Sequence, residues 1–279
     1  MDIQINSDRR SLHPYVERIL TIIYFFIIFL SISVVIAPII VVVGISFNPG
    51  VVEAFPPEGL SLRWYIEFLN NGRFMTAFFL VSMPIAFATA FIATTLGVLA
   101  AYTLSMMKFR FQNGIQALMI TPIMIPGAVV GLSLMFLFIS LDLRGTFLNV
   151  IIGHSVRVMP FTFLIALASL SKVDFDLEHA ARDLGASKTQ AFLQVTLPLI
   201  KSAVIAGFLL SFILSFADIN IALFLGRGEN TTLPVEMYGY LLFQRSPIIA
   251  AIGTIKILLI LTLLVVIGRL VGFERVYQR

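Results

Sequence analysis

The chain has 279 residues; 59% of them are hydrophobic, only 12% are charged, and none is cysteine. A typical soluble domain carries about 25% charged residues, so the composition excludes a soluble globular enzyme, a disordered chain and a coiled coil. It indicates an integral membrane protein with several spans, in which the distribution of the net charge of +4 is more informative than its size.

Six stretches are apolar enough and long enough to cross a membrane as helices, because one span needs about 20 residues. The strands of a β-barrel would instead alternate in polarity over about ten residues. The predicted fold class is therefore an all-α membrane protein with six transmembrane helices. The predicted spans are residues 20–47, 77–106, 115–141, 150–170, 203–225 and 248–270.

The distribution of Lys and Arg predicts how these spans are oriented. With six spans, both termini lie on one side of the membrane. Of the 19 Lys and Arg residues, five fall on the opposite side and two fall within spans, so the side of the termini holds most of them. Because cytoplasmic segments are enriched in Lys and Arg, residues 1–19 and 271–279 are predicted to be cytoplasmic tails of a membrane domain at 20–270. Span one is too long for the apolar core of a signal peptide and is predicted to be retained.

On the outer side, the segment 48–76 holds the only tryptophan of the chain, Trp64. The apolar residues of 61–69 recur at helical spacing, which predicts a helix lying along the membrane surface. A simple aromatic anchor at the interface is the alternative.

The longest polar stretch on the cytoplasmic side, residues 171–200, is predicted to form two short helices separated by a glycine. Residues 177–184 are mostly helix formers. Gly185 follows them at the position where a left-handed residue often ends a helix. Ser187, with a glutamine three residues later, has the spacing of a capping box that starts the second helix, and Pro198 marks the far end of that helix.

The same loop resembles the EAA loop of ABC importer permeases, whose pattern is Glu-Ala-Ala, three residues, Gly, nine residues, Ile, one residue and Leu-Pro. Here His179, Ala180 and Ala181 are followed at the same spacing by Gly185 and by Val-Thr-Leu-Pro at 195–198. His179 stands in place of the glutamate, and a valine stands in place of the isoleucine. The resemblance implies a type I importer permease in which this loop is a coupling helix that sits in a cleft of a separate ATP-hydrolysing subunit.

The resemblance also implies the partners and the residues that contact them. The partners would be two ATPase subunits, a second homologous permease (a heterodimer rather than a homodimer), an external solute-binding protein and membrane lipid, with no nucleic acid. The chain has no Gly-x-x-x-x-Gly-Lys-Ser/Thr phosphate loop, so it is predicted to be no enzyme and to bind no cofactor, ATP being bound by the partner subunits. The predicted ATPase-coupling residues are Glu178, His179, Ala180, Ala181, Arg182, Asp183, Gly185 and Ser187.

Within that family, further segments resemble the second permease of spermidine/putrescine-type importers. They are residues 122–127, 153–154, 159–161, 215–218 and 230–234. The related pattern often has two acidic residues after Ser-Phe, and here Ala217 takes the first of these positions. The resemblance implies a polyamine or a related amine as cargo; an opine, a phosphonate, thiamine or an iron complex is the alternative. The expected location is the bacterial inner membrane.

Charged and polar residues within the spans are candidates for a substrate pathway, because charge in a bilayer is costly unless it faces a cavity or a partner. The four candidates are Asp218, Asn220, Arg157 and Lys256. Asp218 is suited to contact a cationic amine, or else it forms an ion pair with Arg157 or Lys256. The two cationic residues would suit an anionic substrate equally well.

Two other features of the spans concern their shape and packing. Pro122 and Pro126 bracket one turn of span three and predict a hinge where the helix bends or unwinds. Small residues four positions apart, at 93, 97 and 101 and at 127 and 131, allow helices to approach closely, either within the chain or between two permeases. Histidines outside the loop are predicted to be structural.

Near the outer mouth, Glu236, Tyr238 and Tyr240 either contact the binding protein or line the membrane interface. Two other functions are alternatives to an importer permease. A stand-alone secondary transporter would show an inverted repeat of its spans, and the two halves show no convincing one. An intramembrane enzyme would need a paired catalytic motif, such as His-Glu-x-x-His, which the sequence lacks.

Overall fold

The computed structural model describes residues 14–106, 110–143, 145–226, 228 and 231–271, and the statements below refer to these residues. Most of the predicted tails, and Asn230 of the segment that resembles polyamine permeases, lie outside them. The described chain is helical and holds no β-strand. Its helices are α1 (Pro14–Ser46), α2 (Arg63–Asn70), α3 (Gly72–Met106), α4 (Gln112–Met124), α5 (Gly127–Ser140), α6 (Phe147–Leu170), α7 (Asp176–Asp183), α8 (Lys188–Leu199), α9 (Lys201–Ala217), α10 (Ala222–Leu225), α11 (Leu233–Phe243) and α12 (Ile248–Val271).

Four helices, α1, α3, α6 and α12, are individually long and apolar enough to cross a membrane. They coincide with predicted spans one, two, four and six. Two bent helix pairs, α4 with α5 and α8 with α9, bring the number to six if each pair counts as one span. The predicted fold class, an all-α membrane protein with six transmembrane helices, is confirmed.

Predicted span three is not one straight helix. The axes of α4 and α5 differ by 100° across Ile125 and Pro126. Proline has no N–H to donate and its ring clashes with the preceding helical turn, so the chain unwinds at this point. The bend that Pro122 and Pro126 predict is therefore present, and it is large enough to divide the span in two.

Predicted span five, 203–225, is too long at its C-terminal end. Helix α9 stops at Ala217, and Asp218 adopts an extended conformation with φ −70° and ψ 128°. The chain then turns into the short helix α10. The prediction extended too far because residues 219 and 221–225 are apolar, and an apolar stretch interrupted by only two polar residues still has the composition of a span.

Helices α3, α6 and α9 form the central unit of the fold. Gly97 lies so close to α6 that an added Cβ would be 2.1 Å from Thr162 Oγ1 and 2.9 Å from the backbone N of Phe163. Gly207 of α9 packs against the same threonine. The small residues at 93, 97 and 101, and likewise Gly127 and Gly131, pack against other helices of this chain, which is the intrachain alternative of the prediction.

The predicted surface helix is present as α2. Trp64 and Phe68 on its inner face are each only 3% exposed, and Trp64 Nε1 donates to the carbonyl of Asn48 at 2.8 Å. These two rings join an apolar cluster with residues of α3, α9 and α12. Helix α2 is thus packed onto the ends of the spans and is more than an aromatic anchor. Helix α1 contacts α12 and exposes most of its length.

Candidate functional site

The loop 171–200 folds as the predicted pair of helices joined at a glycine. Helix α7 begins at Asp176, whose backbone N–H donates to Asp174 Oδ1 at 3.0 Å. It ends at Asp183, and Gly185 adopts a φ of +97°, a left-handed conformation that glycine reaches without the steric cost of a Cβ. The chain then reverses into α8.

Ser187 starts α8 through the predicted capping box. Its hydroxyl accepts the N–H of Gln190 at 3.2 Å, and its own N–H donates to Gln190 Oε1 at 2.9 Å. These bonds satisfy backbone donors that the start of a helix leaves open. Helix α8 ends at Leu199 and meets α9 at an angle of 78°. The second helix of the loop therefore leads directly into span five.

Glu178 differs from the other predicted coupling residues because its side chain is buried, with only 2% exposed. One of its carboxylate oxygens accepts a hydrogen bond from the Tyr102 hydroxyl of α3, and the other accepts one from the Thr196 hydroxyl of α8. Its side chain therefore does not lie on the exposed surface of the loop, and its assignment to the ATPase-coupling residues stays a prediction. Tyr102 lies 76 positions away in the sequence, and such a partner cannot be found from local spacing.

The other predicted coupling residues lie on the outside of the loop: His179, Ala180, Arg182, Asp183, Gly185 and Ser187 are exposed, and Ala181 is half-buried. Leu177 and Leu184 belong to the same surface but were not predicted; they are 51% and 90% exposed. Large apolar side chains held open to solvent beside polar ones are typical of a protein interface. Their signal in the sequence is one leucine near each end of a short segment rich in charged residues.

Asp218 lies next to a histidine of span four, His154. Its Oδ1 accepts the N–H of Ile221 at 2.8 Å and lies 3.5 Å from Nε2 of His154. The side chain of His154 is 1% exposed, and its Nδ1 lies 2.8 Å from Ser215 Oγ. The cluster of Asp218, His154 and Ser215 thus joins the C-terminal end of α9 to α6.

The predicted ion pairs between Asp218 and Arg157 or Lys256 are absent from the described part of the chain. Arg157 instead donates from Nη1 to the carbonyl of Ile125 at 3.2 Å. A Cβ added to Gly127 would lie 3.1 Å from Arg157 Cζ and 3.2 Å from Asn220 Cβ. The break in span three, the middle of span four and the turn after span five therefore meet around this glycine.

Lys256 contacts a different part of the fold. Its Nζ lies 5.7 Å from the centre of the Phe216 ring, within the range of a cation–π interaction. Within the described residues, neither Lys256 nor Arg157 forms an ion pair with a carboxylate. Three of the four predicted pathway residues thus lie near the break between α4 and α5 or in the turn after α9, and Lys256 contacts Phe216 of α9.

Near the beginning of α3 and of α11, Arg73 and Glu236 form an ion pair of 2.6 Å and border a cavity of about 570 Å³. The ring of Tyr240 packs against that of Phe74, with 5.5 Å between ring centres. Tyr238 is 43% exposed. Of the three predicted outer-mouth residues, Glu236 and Tyr240 therefore contact other residues of this chain, and the side chain of Tyr238 is exposed.

The sequence model of a family described as the binding-protein-dependent transport system inner membrane component matches residues 93–273. The chain belongs to this family. The match begins within α3. It includes the loop 171–200, the break between α4 and α5, the turn after α9, and the cluster of Asp218, His154 and Ser215. The resemblance inferred from the EAA-like loop is confirmed.

Relatives of this permease include transporters named for amines. The putrescine transport system permease protein PotI of Escherichia coli (strain K12) is 33% identical over 82% of this chain and 83% of its own length. The spermidine/putrescine permease PotC of Haemophilus influenzae is 31% identical over 82% of this chain and 88% of its own length. A putative 2-aminoethylphosphonate permease, PhnV of Salmonella paratyphi A, is 28% identical over 80% of this chain and 82% of its own length.

Solved structures show that the fold is that of an ABC importer permease. A chain from a bacterial ABC transporter that imports the acidic polysaccharide alginate aligns with a TM-score of 0.72 and 20% identity, covering 93% of this chain and 99% of that one. A chain of the alginate transporter bound to its pentasaccharide-loaded periplasmic protein aligns with a TM-score of 0.64 and 14% identity, covering 95% of each.

Proposed function

We propose that this permease is the transmembrane subunit of an ATP-driven importer that takes up a polyamine or a related small amine delivered by an external binding protein. It acts in the bacterial inner membrane with both termini in the cytoplasm, and it pairs with a second, homologous permease. The observation that carries the proposal is the exposed face of α7. This face presents Ala180, Arg182 and the 90% exposed Leu184 at the end of a well-capped loop.

The proposed energy source is a pair of ATPase subunits that bind this face. The chain contains no phosphate-binding loop of its own, so nucleotide hydrolysis has to occur elsewhere. Closure of the ATPase pair would displace α7, and α8 would carry that displacement into span five. Coupling of this kind requires that nucleotide and solute bias the same two conformations, inward-open and outward-open.

The amine cargo is supported by two observations. The relatives at 31–33% identity are named for putrescine and spermidine transport. In this chain, Asp218 places a carboxylate at the outer end of α9 with a side chain that is 10% exposed. A cationic amine that reaches the span breaks could compete with His154 for this carboxylate.

An anion-bearing cargo is the second candidate. Arg157 and Lys256 lack a carboxylate partner among the described residues, and one relative is named for 2-aminoethylphosphonate. These two cations would favour a phosphonate or carboxylate group on the solute. A stand-alone secondary transporter is the remaining alternative, and it would not co-purify with an ATPase.

Uptake by the purified complex in proteoliposomes tests the cargo. We expect ATP-dependent uptake of putrescine, and we expect Asp218→Asn to weaken apparent affinity about tenfold, because a hydrogen bond to a charged group contributes about 1.5–3 kcal/mol. Asp142→Asn is the matched control, since it removes the same charge from an exposed site. Uptake of 2-aminoethylphosphonate but not putrescine, sensitive to Arg157→Gln and not to Asp218→Asn, would overturn the amine assignment.

A further inference from the structure

One buried carboxylate joins three separate elements beneath the exposed face of α7. Glu178 of α7 accepts hydrogen bonds from Tyr102 of α3 and from Thr196 of α8. Thr196 is 1% exposed, so both the carboxylate and one of its donors are removed from water. An unpaired carboxylate would be strongly destabilised there, whereas hydrogen bonds to an ionised acceptor are shorter and stronger than neutral ones.

Aromatic and apolar side chains surround the contacts of Glu178. The ring of Tyr102 lies against that of Phe192, with 4.6 Å between ring centres. Both rings belong to an apolar cluster that includes Leu170 and Ile200, each fully buried. Within the described chain, no Lys or Arg forms an ion pair with Glu178, so the two hydroxyls are its recorded partners. A shift of α7 relative to α3 or α8 would leave the carboxylate without them.

We propose that Glu178 is a positioning residue that makes α7, the adjoining end of α3 and α8 move as one body. A displacement applied to the exposed face of α7 then reaches span two through Tyr102 and span five through Thr196. This inference rests on the proposed function, because it takes an ATPase to be the source of the displacement. Under this inference, span two receives the displacement of α7 directly through Tyr102. The chain connection alone would transmit that displacement only along α8.

Shape-preserving variants separate this role from simple support of the fold. Tyr102→Phe and Thr196→Val each remove one hydroxyl and keep the side-chain volume. Thr103→Val is the matched control, because that hydroxyl bonds only the carbonyl of Leu99 in its own helix. The measurement is the amount of solute imported per ATP hydrolysed by the reconstituted complex, alongside its thermal unfolding midpoint.

We expect each of the two variants to lower the import per ATP severalfold while hydrolysis continues, and the double variant to lower it further. Glu178→Gln can still bond both hydroxyls and is expected to retain more coupling than Glu178→Ala. A lower unfolding midpoint with an unchanged ratio of import to hydrolysis in Tyr102→Phe, Thr196→Val and Glu178→Ala would overturn the inference. A wild-type complex that shows no ATP-driven import would instead contradict the proposed function.

Spin-label distances test the rigid movement directly, and the chain helps because it has no native cysteine. Labels at Leu99 on α3 and Asp176 on α7 lie outside the predicted coupling set and are exposed. We expect one narrow distance distribution that is unchanged when the complex binds a non-hydrolysable ATP analogue, and a broader one in Tyr102→Phe. In the complex whose permease carries only the two labels, a distance that changes on nucleotide binding would contradict the inference, whichever solute is transported.

Discussion

At Gly97 the helices α3 and α6 leave no room for a methyl group. Its added Cβ would meet the backbone N of Phe163 at 2.9 Å, and backbone in the centre of a helix cannot move aside cheaply. We expect Gly97→Ala to lower the free energy of unfolding by about 1–3 kcal/mol or more, as overpacking does. Thermal unfolding in detergent measures this change.

Gly239→Ala is the control for that experiment. Gly239 also lies inside a helix, but nothing is within 4 Å of its added Cβ. Alanine favours a helix over glycine by about 1 kcal/mol, so this variant is expected to be neutral or slightly stabilising. Equal losses in the two variants would contradict the close contact between α3 and α6.

The contact of His154 with Asp218 predicts an energetic coupling between spans four and five. Replacing either residue by leucine leaves the other without its 3.5 Å partner in a poorly solvated place, at a cost of about 1–3 kcal/mol. Replacing both removes the unpaired group as well, so the double variant is expected to lose clearly less than the sum of the single losses. Additive losses in chemical unfolding would show that the two side chains do not interact.

Side chains of this kind mark the limit of what the sequence alone reveals. Asp218 and Glu178 could be recognised as unusual from their positions in the chain. Their partners, His154, Tyr102 and Thr196, could not, because those contacts depend on how distant helices pack. For Glu178 the sequence did not reveal that the side chain is buried, because its neighbours along α7 are exposed.

At the scale of elements, the turn at Gly185 is the part of the loop most sensitive to substitution by a branched residue. Its φ of +97° strains any residue with a Cβ, although no atom lies within 4 Å of an added one. We expect Gly185→Val to distort the turn between α7 and α8, so that ATP hydrolysis continues while uptake falls at least severalfold. Uptake and hydrolysis by the reconstituted complex are measured together.

Gly114→Val provides the comparison, because Gly114 has equal space around it and lies within helix α4. It is expected to leave the ratio of uptake to hydrolysis unchanged. Uptake by Gly185→Val at the level of Gly114→Val would mean that the orientation of α7 relative to α8 does not matter for transport.

The break in span three and the early end of span five were not equally predictable from the sequence. The closely spaced Pro122 and Pro126 predict the break in span three, because each proline removes one helical hydrogen bond and its ring clashes with the preceding turn. The chain breaks at Pro126, whereas Pro122 lies within α4. The angle of 100° depends on what α5 packs against, including Arg157 at Gly127, and no local pattern contains it. The end of span five carries no proline or glycine between Ala217 and Leu225, so the turn at residues 218–221 was predicted to be helix. Whether the span-three break moves as a hinge stays a prediction.

At the scale of the whole molecule, composition and the lengths of apolar stretches were sufficient for the fold class, because lipid leaves the backbone few options other than helix. The EAA-like spacing was sufficient for the family. The cargo was not predictable to the same degree, since it depends on a few side chains around the span breaks and on a second permease. The orientation of the termini rests on the distribution of Lys and Arg and stays a prediction.

The proposed importer function requires that the exposed face of α7 lies in the cytoplasm and contacts a separate ATPase. A single cysteine at Leu184, which is 90% exposed, allows a direct measurement with a membrane-impermeant maleimide. We predict that Leu184→Cys in the permease alone reacts only in inside-out vesicles, and that assembly with the ATPase subunits protects it. Labelling from the outside, or undiminished labelling in the assembled complex, would contradict the account.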